Sequence, residues 1–156
     1  MTDAETSRLV AWGQELERTH TLLRRALAVA RDAVNKGESV PRASRDLLLY
    51  CRGFCVALDG HHRGEERHLF PAIATSYPHL RPVLRALEQD HSTIAHLLTD
   101  LQAALDEPGT ATEVSAHLEG VAAIMENHFL YEERQLLTVL QELYLPTSTS
   151  KALGPL

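Results

Sequence analysis

Apolar residues recur every three or four positions in four segments of the chain, which is the spacing of an amphipathic helix. Glycine and proline separate these segments, for example at Gly37 and at Pro108-Gly109. The predicted helices run from about Ala4 to Lys36, from near Pro41 to an interruption at Pro71 and Pro78, from about His79 to Asp106, and from about Thr112 to Leu143.

The composition supports helices over strands. Aromatic residues make up only 5% of the chain, and Leu and Ala outnumber Val and Ile. We therefore expect an all-α protein, and four long helices with short connections most simply form an up-down-up-down antiparallel four-helix bundle. The 156 residues suffice for one domain, which we place at residues 1–145. Residues 146–156, which begin at a proline and continue as Thr-Ser-Thr-Ser, are expected to be a flexible C-terminal tail.

Histidine and glutamate interrupt the apolar stripes of all four predicted helices. The residues on these stripes are His20 in the first helix, His61 and Glu65 in the second, His91 in the third, and His128 and Glu132 in the fourth. In both pairs the histidine precedes the glutamate by four residues, so the two side chains share one helix face. A buried carboxylate must be paired, protonated or bound to metal. Two carboxylates among four histidines therefore predict a shell of metal ligands.

A second choice of pair exists on the second helix. His62 and Glu66 have the same spacing, but they lie about 100° away from the apolar stripe. The second copy of the pattern has Phe129 at the position that corresponds to His62. We therefore favour His61 and Glu65 as ligands and leave His62 as either a supporting group or an additional ligand.

Other residues near the predicted shell have more than one interpretation. His68 lies one turn beyond Glu65, and His117 lies about three turns before His128, so both are expected to pack or to support the shell. Tyr131 either hydrogen-bonds near the centre or adds a phenolate ligand. Glu66 and Glu133 form exposed ion pairs with neighbouring arginines, or they orient the ligands.

Charge and cysteine content exclude several classes of protein. A net charge of −6 and a pI near 5.8, without a basic patch, argue against nucleic-acid binding. The first residues lack the pattern of a signal peptide and no apolar run approaches the ~18 residues of a membrane span, so we expect a cytoplasmic protein. Cys51 and Cys55 lie on one predicted helix in poor geometry for a disulfide and are expected to be buried thiols.

The pattern of these residues resembles the hemerythrin-like, or HHE cation-binding, domains. The resemblance covers residues 15–143 and rests on His20, on His61 and Glu65 followed by Leu69-Phe70-Pro71, on His91 after Gln89-Asp90, and on His128 with Glu132. It implies a four-helix bundle around a non-haem di-iron centre. Oxygen-carrying hemerythrins have a second histidine one turn after the third-helix histidine, where this chain has Ala95. They also have an aspartate one residue beyond the position of Glu132.

The resemblance implies two iron ions with an oxo or hydroxo bridge, further bridged by Glu65 and Glu132 and each held by two imidazoles. Nitrogen and carboxylate donors without thiolate suit iron better than magnesium or calcium, and manganese and zinc are the alternative metals. The implied function is binding of dioxygen, nitric oxide or peroxide for sensing, scavenging or storage. The alternative is a di-iron enzyme that decomposes hydrogen peroxide in a catalase-like or peroxidase-like reaction, which Ala95 favours. No catalytic acid or base and no redox partner is indicated.

Overall fold

The computed structural model describes residues 11–36, 43–106 and 111–155. Over these ranges the chain is helical and contains no strand, which confirms the all-α class. The helices are α1 (Trp12–Lys36), α2 (Ala43–Gly64), α3 (Phe70–Ser76), α4 (Arg81–Asp106), α5 (Ala111–Leu140) and α6 (Thr149–Leu153). A π-helical turn at Glu65–Leu69 joins α2 to α3, and a 3-10 turn at Pro78–Leu80 precedes α4.

The four long helices, α1, α2, α4 and α5, pack against one another. α1 contacts both α2 and α5, and α4 contacts α5 and α2. Within the described ranges, no helix combines the length and the apolar character that a membrane span requires. The predicted starts of the first helix at Ala4 and of the second near Pro41 lie outside the described residues.

Buried apolar side chains form two clusters, with a layer of buried histidine and glutamate between them. One cluster includes Leu23 and Phe54, and the other includes Trp12 and Leu16. On α1, His20 lies between Leu16 and Leu23, so it separates the two clusters, and His91 on α4 and Glu132 on α5 lie between the clusters in the same way. The apolar stripes thus bury polar side chains at one level of the structure, as the sequence predicted.

Pro71 does not interrupt the second helix, contrary to the prediction. Proline lies in the first turn of α3, where its missing N–H breaks no hydrogen bond of that helix. In the π-helical turn before it, the Phe70 N–H donates to the carbonyl of Glu65, five residues back. This wider turn advances the register by one residue, so Leu69 is buried and His68 is only half-buried.

Residues 149–153 correct the expectation of a flexible tail. The Ser148 hydroxyl accepts the Lys151 N–H at 3.3 Å and begins α6, and Gly154 ends it with a φ of 92°. Ala152 and Leu153 are buried in the same apolar cluster as Trp12. The segment folds onto the protein because burial removes these two apolar side chains from water. The polar residues around them make this burial hard to predict from the sequence.

Cys51 and Cys55 are free, buried thiols on α2, as predicted. Burial raises the pKa of each thiol to about 11. Both are therefore protonated at neutral pH and serve as small apolar core residues.

Candidate metal centre

Seven buried side chains form two groups of donor atoms that share one carboxylate. The first group, called the α1 cluster here, consists of His20, His61, Glu65 and Glu132. The second group, called the α4 cluster, consists of His62, Glu65, His91 and His128. Within each cluster, one donor atom per residue lies within 4.8 Å of all the others. None of the seven residues is more than 5% exposed. Each cluster is compact enough to hold a metal ion.

All six residues that the sequence singled out lie in these clusters, and the structure adds His62. Its ring stacks on His91, with centroids 3.8 Å apart and ring planes 11° from parallel. The helical register had placed His62 off the apolar stripe. Because α2 contacts both α1 and α4, its buried face is wider than one stripe. His61 faces His20 on α1, with ring centroids 5.2 Å apart, while His62 faces α4.

Glu65 reaches a histidine of each cluster. Its Oε1 atom lies 3.3 Å from His61 Nε2 and 3.5 Å from His91 Nε2. Burial and then the negative charge of Glu132 raise the pKa of Glu65 well above its ordinary value. Neither of its carboxylate oxygens has a hydrogen-bond partner among the described residues. Such a carboxylate is costly unless a proton or a cation compensates its charge.

Glu132 also reaches both clusters. Its Oε1 accepts a hydrogen bond from His20 Nε2 at 3.1 Å, and its Oε2 lies 3.5 Å from His128 Nε2. Burial alone would raise the pKa of Glu132, but the hydrogen bond and positive charge of His20 hold it well below its ordinary value. Each of the two carboxylates thus lies close to histidines of both clusters.

Several buried atoms of the site make no hydrogen bond. In the part of the chain that the structure describes, the buried side-chain nitrogens and oxygens without a partner are His61 Nε2, His62 Nε2, both oxygens of Glu65, and Glu132 Oε2. Burial lowers the pKa of His61 and of His91 to about 3, and that of His62 well below its ordinary value. These imidazoles are neutral at pH 7 and offer lone pairs to a cation. These buried nitrogen and oxygen atoms without hydrogen-bond partners are thus suited to bind a metal ion.

In four of the histidines, Nδ1 forms a hydrogen bond to an acceptor outside the two clusters. The Nδ1–H donors and their acceptors are His20 with Glu133 (2.9 Å), His61 with the Leu153 carbonyl (2.8 Å), His91 with Glu66 (2.9 Å), and His128 with Asp90 (3.1 Å). Donation from Nδ1 fixes each ring and turns Nε2 towards the clusters. Glu66 and Glu133 therefore orient the site, which was one of their two predicted roles.

His20 contacts carboxylates through both ring nitrogens. Burial lowers its pKa, but the hydrogen bonds to Glu132 and Glu133 outweigh burial and raise the pKa above its ordinary value. Arg24 continues this network, because it lies 3.9 Å from Glu133 and forms a bidentate ion pair with Glu126. Its guanidinium also lies 5.4 Å from the centroid of the Phe129 ring.

The two clusters are arranged alike but differ in one ring. Phe129 stacks on His20, with centroids 3.8 Å apart and planes 5° from parallel, as His62 stacks on His91. In the repeated sequence pattern, Phe129 also occupies the position of His62. The α1 cluster therefore has an apolar ring where the α4 cluster has its third imidazole.

The remaining candidates do not join either cluster. His68 and His117 are half-buried, and Tyr131 packs against the apolar cluster of Trp12. Ala95, which stands where the oxygen carriers have a further histidine, lines a cleft of about 230 Å³ between α2 and α4. The walls of this cleft include His62 and His91, so the cleft borders the α4 cluster.

Comparison with known proteins gives one match. A family model described as the hemerythrin HHE cation binding domain matches residues 14–140. No curated protein and no solved structure matches the chain. The matched range includes all seven side chains of the two clusters.

Proposed function

The chain belongs to the hemerythrin HHE cation-binding domain family, and on that premise we propose that it holds two iron ions, one in each cluster. His20 and His61 would hold one ion and the three histidines of the α4 cluster the other, and Glu65 and Glu132, which lie close to histidines of both clusters, would be shared between them. Five imidazoles and two carboxylates, without thiolate, are ligands that iron accepts and that suit it better than magnesium or calcium. The contacts of α1 with α2 and α5, and of α4 with α5, support an up-down-up-down antiparallel bundle around this pair.

We further propose that the pair binds dioxygen or a related small molecule, such as nitric oxide, for sensing, scavenging or storage. The observation that carries this proposal is the inequality of the clusters. The protein offers three imidazoles to the ion of the α4 cluster and two to the ion of the α1 cluster. Phe129, which is fully buried, takes the place of the third imidazole and contributes no donor atom. The ion of the α1 cluster would therefore have one imidazole ligand fewer, which leaves a coordination position for a small ligand.

When bound, the iron pair supplies the electrons that are exchanged with such a ligand. The protein binds and orients the pair. Glu66, Asp90 and Glu133 fix three of the imidazole rings and make them stronger metal ligands. The two apolar clusters cover the site on two sides, so the cleft beside the α4 cluster is a route by which small molecules reach it.

Decomposition of hydrogen peroxide is a second candidate, and the cleft beside the α4 cluster favours it. The cleft reaches His62 and His91 and is lined in addition by Asp59, Arg63 and Glu66. Such a mixed polar lining admits a small polar molecule to the ion that these histidines hold.

One spectroscopic experiment distinguishes the two candidates. The iron-loaded protein is reduced without air and then exposed to dioxygen and to hydrogen peroxide, while its visible spectrum is recorded. A spectral change that reverses when dioxygen is removed supports ligand binding. Irreversible oxidation, with oxygen released from peroxide, supports the enzyme. A spectrum that responds to neither reagent contradicts both.

A further inference from the structure

The C-terminal segment of the structure lies directly on the turn of α2 that carries His61. The Leu153 carbonyl accepts the His61 Nδ1–H at 2.8 Å in a buried hydrogen bond between residues 92 positions apart. The other three hydrogen-bonded rings donate to carboxylates on the long helices or on the π-helical turn. His61 is the ring among these four whose orientation depends on the backbone of a separate segment.

Glycine on both sides permits this close contact. A Cβ atom on Gly64 would lie 2.7 Å from the Lys151 carbonyl oxygen, which is too short for any side chain. Gly154 has a φ of 92°, and a Cβ atom there would lie 2.8 Å from the backbone nitrogen of His61. The backbones of α2 and of residues 151–154 thus meet without an intervening side chain.

We infer that residues 151–155 are a positioning segment for the metal ligand His61. The proton of a neutral imidazole resides on either nitrogen, and the Leu153 carbonyl holds it on Nδ1. Nε2 then keeps its lone pair, which points towards Glu65 at 3.3 Å. This inference rests on the proposed function, because the lone pair of His61 serves an iron ion of the α1 cluster.

The positioning segment acts on one cluster more than on the other. His91 and His128 are oriented by Glu66 and Asp90, which do not belong to the segment. Loss of the segment therefore weakens iron binding in the α1 cluster first. A segment that only stabilised the fold would affect both clusters equally.

The first test uses metal-free protein labelled with ¹⁵N-histidine. Long-range proton–nitrogen NMR spectra at pH 7.5 report which nitrogen of each ring carries the proton, and His61→Gln assigns the His61 signals. The variants are a chain that ends at Thr147 and Gly64→Ala, whose added Cβ meets the Lys151 backbone. Gly53→Ala is the matched control, because it lies on the same helix and its Cβ would meet no atom within 4 Å.

We expect the proton of His61 on Nδ1 in the unaltered protein and in Gly53→Ala. In the shortened chain and in Gly64→Ala, this proton moves to Nε2 or exchanges between the nitrogens. A proton on Nε2 in the unaltered protein overturns the inference without any variant. So does an unchanged Nδ1–H in a folded Gly64→Ala protein.

Iron content is the second readout. In the shortened chain and in Gly64→Ala, where these fold, we expect the iron content to fall from two towards one ion per chain. Gly53→Ala should retain two ions. If the unaltered protein itself fails to bind two ions, the proposed function fails, whatever the NMR spectra show. If the unaltered protein binds two and the shortened chain does as well, the positioning segment alone is refuted.

Discussion

The ring of Phe129 lies flat on the ring of His20, with centroids 3.8 Å apart and planes 5° from parallel. Across the site, His62 lies in the same way on His91. The ring stacked on a ligand histidine is thus apolar in the α1 cluster and an imidazole in the α4 cluster. The proposed binding of a small ligand depends on this difference.

The first prediction concerns this ring. Phe129→His places a third imidazole in the α1 cluster, which would fill the position that a small ligand needs. We expect azide binding to the oxidised iron-loaded protein to weaken at least about tenfold, equivalent to about 1.4 kcal/mol. Titration of the visible spectrum with azide measures this affinity.

Phe129→Leu is the matched control, because leucine fills the space without a donor atom. It should retain azide binding within a few-fold of the unaltered protein. Equal affinity in the histidine and leucine variants would show that Phe129 does not determine the open position.

The second prediction concerns the residue that the helical register had placed outside the shell. His62→Ala removes one of three imidazoles from the α4 cluster, so iron content should fall from two towards one per chain. His68→Ala is the control, because His68 is a half-buried histidine on the π-helical turn that belongs to neither cluster. This variant should retain two iron ions per chain. Metal analysis of the folded variants decides, and equal iron in both would remove His62 from the shell.

The third prediction concerns the carboxylates that orient the rings. Glu133→Gln removes the negative charge that His20 Nδ1–H contacts, and we expect iron affinity to fall about 10- to 100-fold. Glu126→Gln is the control, because Glu126 also pairs with Arg24 but has no hydrogen bond to a cluster residue. Competition with a chelator measures both affinities. A comparable loss in the control would assign the effect to Arg24 instead.

The fourth prediction concerns the metal-free protein, which should lose stability as pH falls from 6.5 to 4.5. His61 and His91 have pKa values lowered to about 3, and His62 one well below its ordinary value, so these three gain protons only on unfolding. Glu65, with a raised pKa, loses one on unfolding. His20, whose pKa is raised, is protonated in the folded protein, and in the unfolded chain it becomes fully protonated towards pH 5, where it no longer contributes to the difference.

The unfolded chain therefore binds more protons than the folded chain as pH falls below 6.5, and the difference approaches two protons near pH 5. Its free energy of unfolding should decrease by roughly 3 kcal/mol for each pH unit lowered, at the steepest point. Urea unfolding of the metal-free protein at pH 7, 6 and 5 measures the slope. A free energy of unfolding that stays constant or increases towards pH 5 would show that the buried imidazoles are not neutral.

Much of the site could be predicted because α-helices preserve register over several turns. His20 and His91 follow directly from the apolar stripes of their helices, and both are buried in the structure. The pairs on α2 and α5 are recognisable because a spacing of four residues keeps two side chains on one face.

The place of His62 could not be derived from the register of one helix. Its burial depends on α2 contacting α1 and α4 together, which only the packed structure reveals. The π-helical turn after Gly64 is a second non-periodic feature, and it moved His68 off the stripe and Leu69 onto it. A helical wheel with constant spacing contains neither effect.

The docking of the C-terminal segment depended on residues far apart in the sequence. Locally, the polar residues after Pro146 predicted a flexible tail, although Ser148 and Gly154 are a recognisable cap and stop. The partner surface is Gly64 and its neighbours on α2. The sequence shows Gly64 and Gly154, but no local pattern predicts that the segments around these two glycines contact each other.

Anomalous scattering from crystals of the iron-loaded protein, measured at the iron absorption edge, locates each iron ion and so tests whether one chain holds two ions in unequal clusters. We predict two peaks, one beside His20 and His61 and the other beside His62, His91 and His128, with Glu65 and Glu132 contacting both. A single peak, or peaks that His62 does not contact, would contradict this arrangement.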